Sequence, residues 1–267
     1  MLRIAIPNKG SLSDAAIAML REAGYATRRD PKELVLLDAE NDAEFFYLRP
    51  RDIAIYVGSG TVDVGVTGRD LLLDSGSSAR ELLPLGFAKS TFRYAARAGS
   101  MSPSEATPAS SASGAPASGA PAMTGMRVAT SYPGLVERDL ADRGITATVV
   151  RLDGAVETAI TLGVADVIAD VVETGTTLRQ QGLEVFGEPI LTSEAVLIGR
   201  DTSADSDAVA VLRRRLTGVI TARTYVMMDY DVPRSLADRA CALTPGLESP
   251  TVSPLQDPDW VAVRAMV

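Results

Sequence analysis

A unit of helix, Gly-x-x-Asp, buried strand, Thr-Gly and helix occurs twice in this chain, and no other feature narrows the fold as far. The first copy runs through Gly60-x-x-Asp63, Thr67-Gly68 and a helix from Asp70. The second runs through Gly163-x-x-Asp166, Thr174-Gly175 and a helix from Thr177, with a strand four residues longer. Units of this kind resemble one another in general, so the echo alone leaves true duplication open. Around the first copy, strand patterns at Leu2–Ile6, Leu34–Leu37, Glu44–Leu48 and Val62–Val66 alternate with helical ones at Asp14–Glu22 and Pro50–Val57. Ser11 or Ser13 is the expected N-cap of the first helix, and Pro50 stands at a favoured first helical position. Around the second copy, strands are expected at Arg127–Thr130, Thr146–Arg151, Val167–Val172 and Glu194–Arg200. The matching helices are Pro133–Arg143, Gly154–Leu162 and Asp207–Ala222. Alternating strands and helices imply an α/β fold with parallel or mixed sheets. Two such lobes place a ligand cleft between them, at the carboxyl ends of the strands.

Two stretches depart from this grammar. Residues 100–125 (SMSPSEATPASSASGAPASGAPAMTG) are almost entirely Ser, Ala, Pro and Gly. They carry too little apolar surface to offset ordering entropy and read as a mobile insertion at a lobe boundary. From Thr224 the order becomes strand (Thr224–Tyr230), helix (Pro233–Leu243), strand (Glu248–Leu255) and strand (Asp259–Val267). That is the β-α-β-β part of a ferredoxin-like α+β module, whose final helix and strand are missing from the pattern.

Composition removes several chemistries. The chain of 267 residues contains no histidine and one cysteine, Cys241. Ser-His-Asp and Cys-His catalysis, His-ligated metals and an internal disulfide are excluded, and a reducing, cytoplasmic setting is expected. With 34 acidic and 26 basic residues the net charge is −8. No global field draws the chain to nucleic acid or anionic lipid, and no apolar run is long enough to span a membrane. An anionic ligand must be held locally.

Four places suit such a ligand. Glu173-Thr174-Gly175-Thr176-Thr177 joins a buried strand to a helix. Free backbone N–H groups at a helix start, a glycine and three hydroxyls make a phosphate cradle, although the same residues would also serve as a plain helix cap. Asp170, just before it, is placed to bind ribose hydroxyls or a Mg²⁺ bridging pyrophosphate oxygens, or else to face solvent. Asp153-Gly154 precedes the helix carrying Glu157, where Asp153 reads as ribose-facing or as that helix's N-cap. Lys9-Gly10, in Pro7-Asn8-Lys9-Gly10-Ser11, suits a phosphate at a helix start or makes an ordinary βα turn. Arg49 and Arg51 flank a helix N-terminus that repels cations, so either an anion or an acid such as Asp52 must relieve them. Gly86–Thr91 reads as a hinge loop, and Tyr56 and Tyr132 as base-stacking or core side chains.

These segments resemble ATP phosphoribosyltransferase, in its long form. The likeness is carried by RIAIPNKGSLS, by FFYLRPRDIAIYVGSGTVDVGVTGRDLL, by LGFAKSTFRYA and above all by RLDGAVETAITLGVADVIADVVETGTTL. The tail YVMMDYDVPRSLADRACALTPGLESPTVSPLQDPDWVAVRAMV is similar to the family's regulatory domain. The resemblance implies a two-lobed, periplasmic-binding-protein-like catalytic core, with residues 1–97 and 189–222 in one lobe and 98–188 in the other. It implies that residues 223–267 are a partial regulatory domain. It further implies ATP and phosphoribosyl pyrophosphate as substrates, with the Glu173–Thr177 turn on the 5-phosphate and Asp170 and Asp153 on ribose or metal. Lys9, Arg49 and Arg51 would meet pyrophosphate or the ATP phosphates, and Mg²⁺ would escort the pyrophosphate. Histidine would be the feedback inhibitor, acting on dimers and hexamers. Truncation of the last domain would leave a homodimer, weaken the histidine response and put the hexamer in doubt. A two-lobed binding module without catalysis is the competing reading.

Overall fold

The computed structural model describes residues 1–28, 30, 32–101, 123–201 and 206–267. Residues 102–122, the greater part of the expected insertion, lie outside that set. The chain forms two compact units, Met1–Arg213 and Arg214–Val267.

The first unit holds two sheets. One has the order β2-β3-β1-β4-β11-β5, from β1 (Leu2–Pro7), β2 (Val35–Asp38), β3 (Ala43–Leu48), β4 (Val64–Gly68), β5 (Arg80–Pro84) and β11 (Ala195–Gly199). The other has the order β10-β6-β9-β7-β8, from β6 (Ser90–Arg97), β7 (Arg127–Thr130), β8 (Thr148–Arg151), β9 (Val167–Val172) and β10 (Leu183–Ser193). In the first sheet β3, β1 and β4 are parallel; in the second β8, β7 and β9 are parallel. The remaining strands pair antiparallel. Sheet membership moves two expected boundaries. β6, inside 1–97, and the end of β10, inside 189–222, belong to the second sheet, because the chain crosses between sheets at 85–89 and at 193–195. The hinge reading of Gly86–Thr91 thus coincides with a real crossing.

The sequence echo has a structural cause. Asp63 accepts from the Arg3 N–H at 2.8 Å, and its own N–H donates to the Arg3 carbonyl at 3.0 Å. Asp166 treats Arg127 in the same way, at 2.9 Å and 2.9 Å. Each aspartate clamps the start of its strand to the parallel neighbour, β4 to β1 and β9 to β7, and so fixes register. Gly60 and Gly163 supply the turns before them at φ 80° and 71°. The two halves of the unit are therefore built alike.

Helices cover both sheets: α1 (Ser11–Glu22), α2 (Pro50–Gly58), α3 (Arg69–Ser75), α4 (Pro133–Asp142), α5 (Thr158–Thr161) and α6 (Thr176–Gln180); α7 (Asp207–Thr224) begins in this unit and ends in the next. Period-two alternation divides the second sheet between two cores. Phe92, Tyr94, Val128 and Val167 face α4, whereas Ala95, Ala129 and Ile168 face α5 and α6. Met123 is 1% exposed in the α4 core, so the insertion expected at 100–125 ends before its last three residues. Two expected caps are not formed. Gly10, at φ 82°, caps α1 instead of Ser11 or Ser13, and the Ser13 hydroxyl donates to the Pro7 carbonyl. Asp153 caps nothing: Gly154 and Ala155 turn the chain at positive φ, and α5 starts later with Glu157 as its cap residue.

The second unit contains β12 (Met227–Pro233), a 3₁₀ turn, α8 (Ala237–Leu243), β13 (Thr251–Pro254) and β14 (Trp260–Met266), in the antiparallel order β12-β14-β13. Val261, Val263 and Ala265 form its buried face, and Arg264 pairs across strands with Asp229 at 2.8 Å. Among the described residues, no helix is long and apolar enough to cross a membrane.

Gly65 on β4 marks where α2 lies closest to the sheet. A Cβ there would come within 2.5 Å of Ile53 Cγ2 and 3.1 Å of Val57 Cγ2, both branched and buried. Gly65→Ala is expected to cost about 1–3 kcal/mol through overpacking. It should lower the urea midpoint with the slope unchanged; an unmoved midpoint would show α2 free to yield.

Candidate active site

Parallel pairing sends every βα turn of a lobe to one edge. In the first lobe that edge carries Asn8–Ser11 after β1, Arg49–Arg51 after β3 and Arg69–Asp70 after β4. In the second it carries Tyr132 after β7, Asp153–Gly154 after β8 and Glu173–Thr177 after β9. The two edges face each other. The Arg51 guanidinium lies 5.0 Å from the centre of the Tyr132 ring, and the charge of Asp70 acts on the Tyr132 phenol.

A cavity of about 320 Å³ opens at the end of β9, lined by Glu157 and by every residue from Asp170 to Leu178. Gly175 is left-handed at φ 69°, ψ 8°, and turns the chain into α6. Its missing Cβ would meet nothing closer than 3.5 Å, so glycine serves conformation here and not space. Arg179 donates to the Thr174 carbonyl at 3.1 Å, and the Thr174 and Thr176 hydroxyls share a 3.0 Å hydrogen bond. The turn is thereby braced from within, while Thr174, Thr176 and Thr177 remain exposed. It is not occluded by packing. Leu178, buried behind it, anchors α6 in the core.

Asp170 follows Ile168 on the face covered by α5 and α6, which aims it at Glu157. Burial, and then the charges of Glu157 and Asp70, hold its carboxyl above the ordinary aspartate pKa, against a 2.8 Å bond from the Val171 N–H that favours the anion. Asp70 is itself 7% exposed; it accepts from the Ser193 hydroxyl at 2.9 Å. Burial and the charges of Asp70 and Asp170 push the Tyr132 phenol up as well, with Arg51 opposing. The sequence reading missed Asp70. Its signal was Gly68, whose Cβ would lie 2.2 Å from the Asp70 carboxylate.

The cationic candidates divide. Arg51 is paired, but with Asp74 at 2.9 Å and not with Asp52. Arg49 is exposed at the start of α2. Lys9 is exposed and has no partner among the described residues, beside Asn8, whose Oδ1 is buried and unpartnered. Gly10 faces open space. Tyr132 packs edge-on against Phe92 at 5.1 Å, whereas Tyr56 is 39% exposed on α2. Asp153 and Gly154 are exposed on the same carboxyl edge but outside the cavity lining. No cluster of three or more metal-ligating side chains occurs among the described residues. Glu157 and Asp170 nevertheless supply hard oxygen donors to one cavity. That set suits a divalent cation whose remaining ligands come from a bound phosphate or from water.

Fold and site together define a two-lobed α/β protein with a phosphate-suited turn and paired carboxylates in its cleft. A family model described as "ATP phosphoribosyltransferase" matches residues 49–218, and one described as "HisG, C-terminal domain" matches residues 222–267. An ATP phosphoribosyltransferase from Pseudarthrobacter chlorophenolicus is 61% identical over 270 residues, covering 100% of this chain and 89% of the relative. One from Streptomyces avermitilis is 61% identical over 272 residues, covering 100% and 90%. Among solved structures, the ATP phosphoribosyl transferase (HisG:HisZ) complex from Thermotoga maritima aligns with a TM-score of 0.68 at 25% identity, over 83% of this chain and 100% of that one. The chain belongs to the ATP phosphoribosyltransferase family. The match over 222–267 overturns the reading of the last domain as truncated, which was the ground for expecting a weakened histidine response.

The raised Asp170 pKa carries a stability consequence. Its folded value exceeds its unfolded one, so ionisation costs stability as pH rises through the interval between them. Below about pH 3.9 there is no cost. Asp170→Asn, which keeps the acceptor for Val171, should raise Tm at pH 7 and lose that gain at the acid end of a calorimetric pH series. Equal Tm values at pH 7 would show an unperturbed carboxyl.

Proposed function

We infer that the residues gathered at the facing strand ends perform the reaction of this family, phosphoribosyl transfer from phosphoribosyl pyrophosphate to N1 of ATP. The products are phosphoribosyl-ATP and pyrophosphate, in the first step of histidine biosynthesis. The observation that carries the reading is the open Glu173–Thr177 turn, which forms one cavity with Asp170. In this assignment the Gly175–Thr177 amides and the Thr174, Thr176 and Thr177 hydroxyls hold the 5-phosphate. Asp170 faces the ribose, where its charge stabilises the oxocarbenium character that develops at C1 as the bond to pyrophosphate breaks. Asp153 and Gly154 complete the ribose-facing rim on the same edge. Lys9, Arg49 and Arg51 come from the other lobe and take pyrophosphate and the ATP phosphates.

A divalent cation, Mg²⁺ in this proposal, would be held by Asp170 and Glu157 and would neutralise the leaving pyrophosphate. It also reconciles a cavity lined by three carboxylates (Glu157, Asp170, Glu173) with an anionic substrate. The attacking nitrogen belongs to ATP, so no protein nucleophile is required, in keeping with a chain that lacks histidine. Catalysis is then positioning and charge stabilisation. From the family resemblance we assign histidine sensing to the C-terminal unit, a homodimer as the smallest working assembly, and a cytoplasmic setting.

Pyrophosphate release that requires both ATP and phosphoribosyl pyrophosphate tests the reading; binding of both with no release would leave only a binding module. Within the site, alanine at a left-handed position costs about 1–2 kcal/mol. Gly175→Ala should therefore weaken phosphoribosyl pyrophosphate binding by roughly 5- to 30-fold. Thr177→Ala should weaken it in the same direction with the fold retained. Titration calorimetry reads both, and unchanged affinity in the pair would remove the cradle assignment.

A further inference from the structure

The side chain of Asp74, on α3, is 8% exposed, and its two oxygens are divided between the lobes. Oδ2 accepts from Arg51 Nη1 at 2.9 Å, on α2 of its own lobe. Oδ1 accepts from the Leu135 N–H at 3.2 Å, in the first turn of α4 in the other lobe. The backbones approach as closely. A Cβ on Gly134 would stand 2.6 Å from the Asp74 carbonyl oxygen. Gly134 is not at positive φ, so this approach, and not a special conformation, is what calls for glycine. The neighbouring Leu73 packs into the α4 core of the second lobe. The circuit closes through Arg51, which lies over the ring of Tyr132, the residue just before α4. A buried carboxylate is costly unless its oxygens are bonded. Here both bonds, and the stacking of Arg51, exist together at only one separation of the lobes.

We propose that Asp74 is a positioning residue for phosphoribosyl transfer: it sets the spacing of the two lobes and aims Arg51 at a substrate phosphate, touching no substrate itself. The proposal rests on the assignment of Arg51 and of the Glu173–Thr177 turn given above. It explains why Arg51 is held by an acid from α3 while 41% of its side chain stays accessible. Lobe spacing matters because one lobe holds the sugar phosphate and the other brings the cations.

Two variants of the full chain separate this role from a structural one. Asp74→Asn keeps an acceptor for Leu135 but removes the negative charge that faces Arg51. Gly134→Ala forces the backbones apart and alters no charge. Each is expected to lower kcat by about tenfold to a hundredfold, as misplacement by a fraction of an ångström to an ångström does. Affinity for ribose 5-phosphate, which carries the cradle's phosphate and no pyrophosphate, should change by less than about threefold, since the cradle lies wholly in the second lobe. Asp74→Asn should add little to Arg51→Ala in the double variant, because the two act through one another. The Leu135 amide should exchange faster in Gly134→Ala. Unchanged kcat in both single variants, or a loss of sugar-phosphate affinity as large as the loss of kcat, overturns the proposal. Unaltered exchange at Leu135 in Gly134→Ala overturns the clasp alone, whereas failure of the wild-type chain to bind phosphoribosyl pyrophosphate sinks the site assignment and the proposal together.

Discussion

Parallel pairing of β4 with β1, and of β9 with β7, is the constraint from which the rest of the catalytic unit follows. A parallel pair cannot be joined by a tight hairpin, so each strand is followed by a turn and a crossover helix on the same edge. Asp63 and Asp166 hold those pairs in register from the opposite edge, by accepting from the N–H groups of Arg3 and Arg127 near the starts of β1 and β7. A slip of one residue would exchange core and solvent faces. Ile168 would leave the α5 and α6 core, and Asp170 would turn away from Glu157. The duplicated Gly-x-x-Asp is therefore a device of folding, and its effect on function is to fix which residues arrive at the cleft.

What arrives is divided by charge. The second lobe contributes hydroxyls, amides and the carboxylates Glu157, Asp170 and Glu173. The first contributes Lys9, Arg49 and Arg51. Asp70 is the exception, a buried acid of the first lobe bonded to Ser193 at the meeting of the edges. Its charge reaches both Tyr132 and Asp170 and opposes ionisation of each. An acidic chain can thus handle highly anionic substrates without a basic surface, because neutralisation is local. In the proposed assignment one lobe brings in the cations, and the carboxylates of the other would share a metal with the ligand.

Much of this was legible in the residues themselves. The run ADVIADVVETGTT specifies β9 and its turn almost to the residue, because a continuous apolar strand followed by Thr-Gly-Thr-Thr admits few alternatives. The strand β10 was not legible. Gly187 and the register shift between Phe186 and Leu191 break its alternation, so LEVFGEPILTS reads as a loop although it pairs along much of β6. The edge strand β5 was missed because an outer strand needs no regular apolar pattern. Asp153 was misread as a cap because the left-handed Ala155, which ends any helix there, carries no sequence signal of its own. Sequence offers an anion or a neighbouring acid such as Asp52 to relieve Arg51, whereas the acid that meets it is Asp74, near only in space.

That last contrast points to what sequence proximity cannot supply. Arg51, Asp70, Asp74, Tyr132 and Leu135 come from three helices of two lobes, Tyr132 as the cap residue of α4, and their meeting depends on both registers at once. None belongs to the phosphate turn, yet they determine where the first lobe stands relative to it. If the cradle holds the 5-phosphate, the distance from that anchor to the pyrophosphate is set by the ribose and is not adjustable. The cations must then be delivered at one depth across the cleft. A pair of lobes joined only by two crossings, at 85–89 and 193–195, would leave that depth free to vary. The contacts through Asp74, Gly134 and Tyr132 remove the freedom, so the geometry of transfer is a property of the interlobe packing as much as of the turn that binds the sugar.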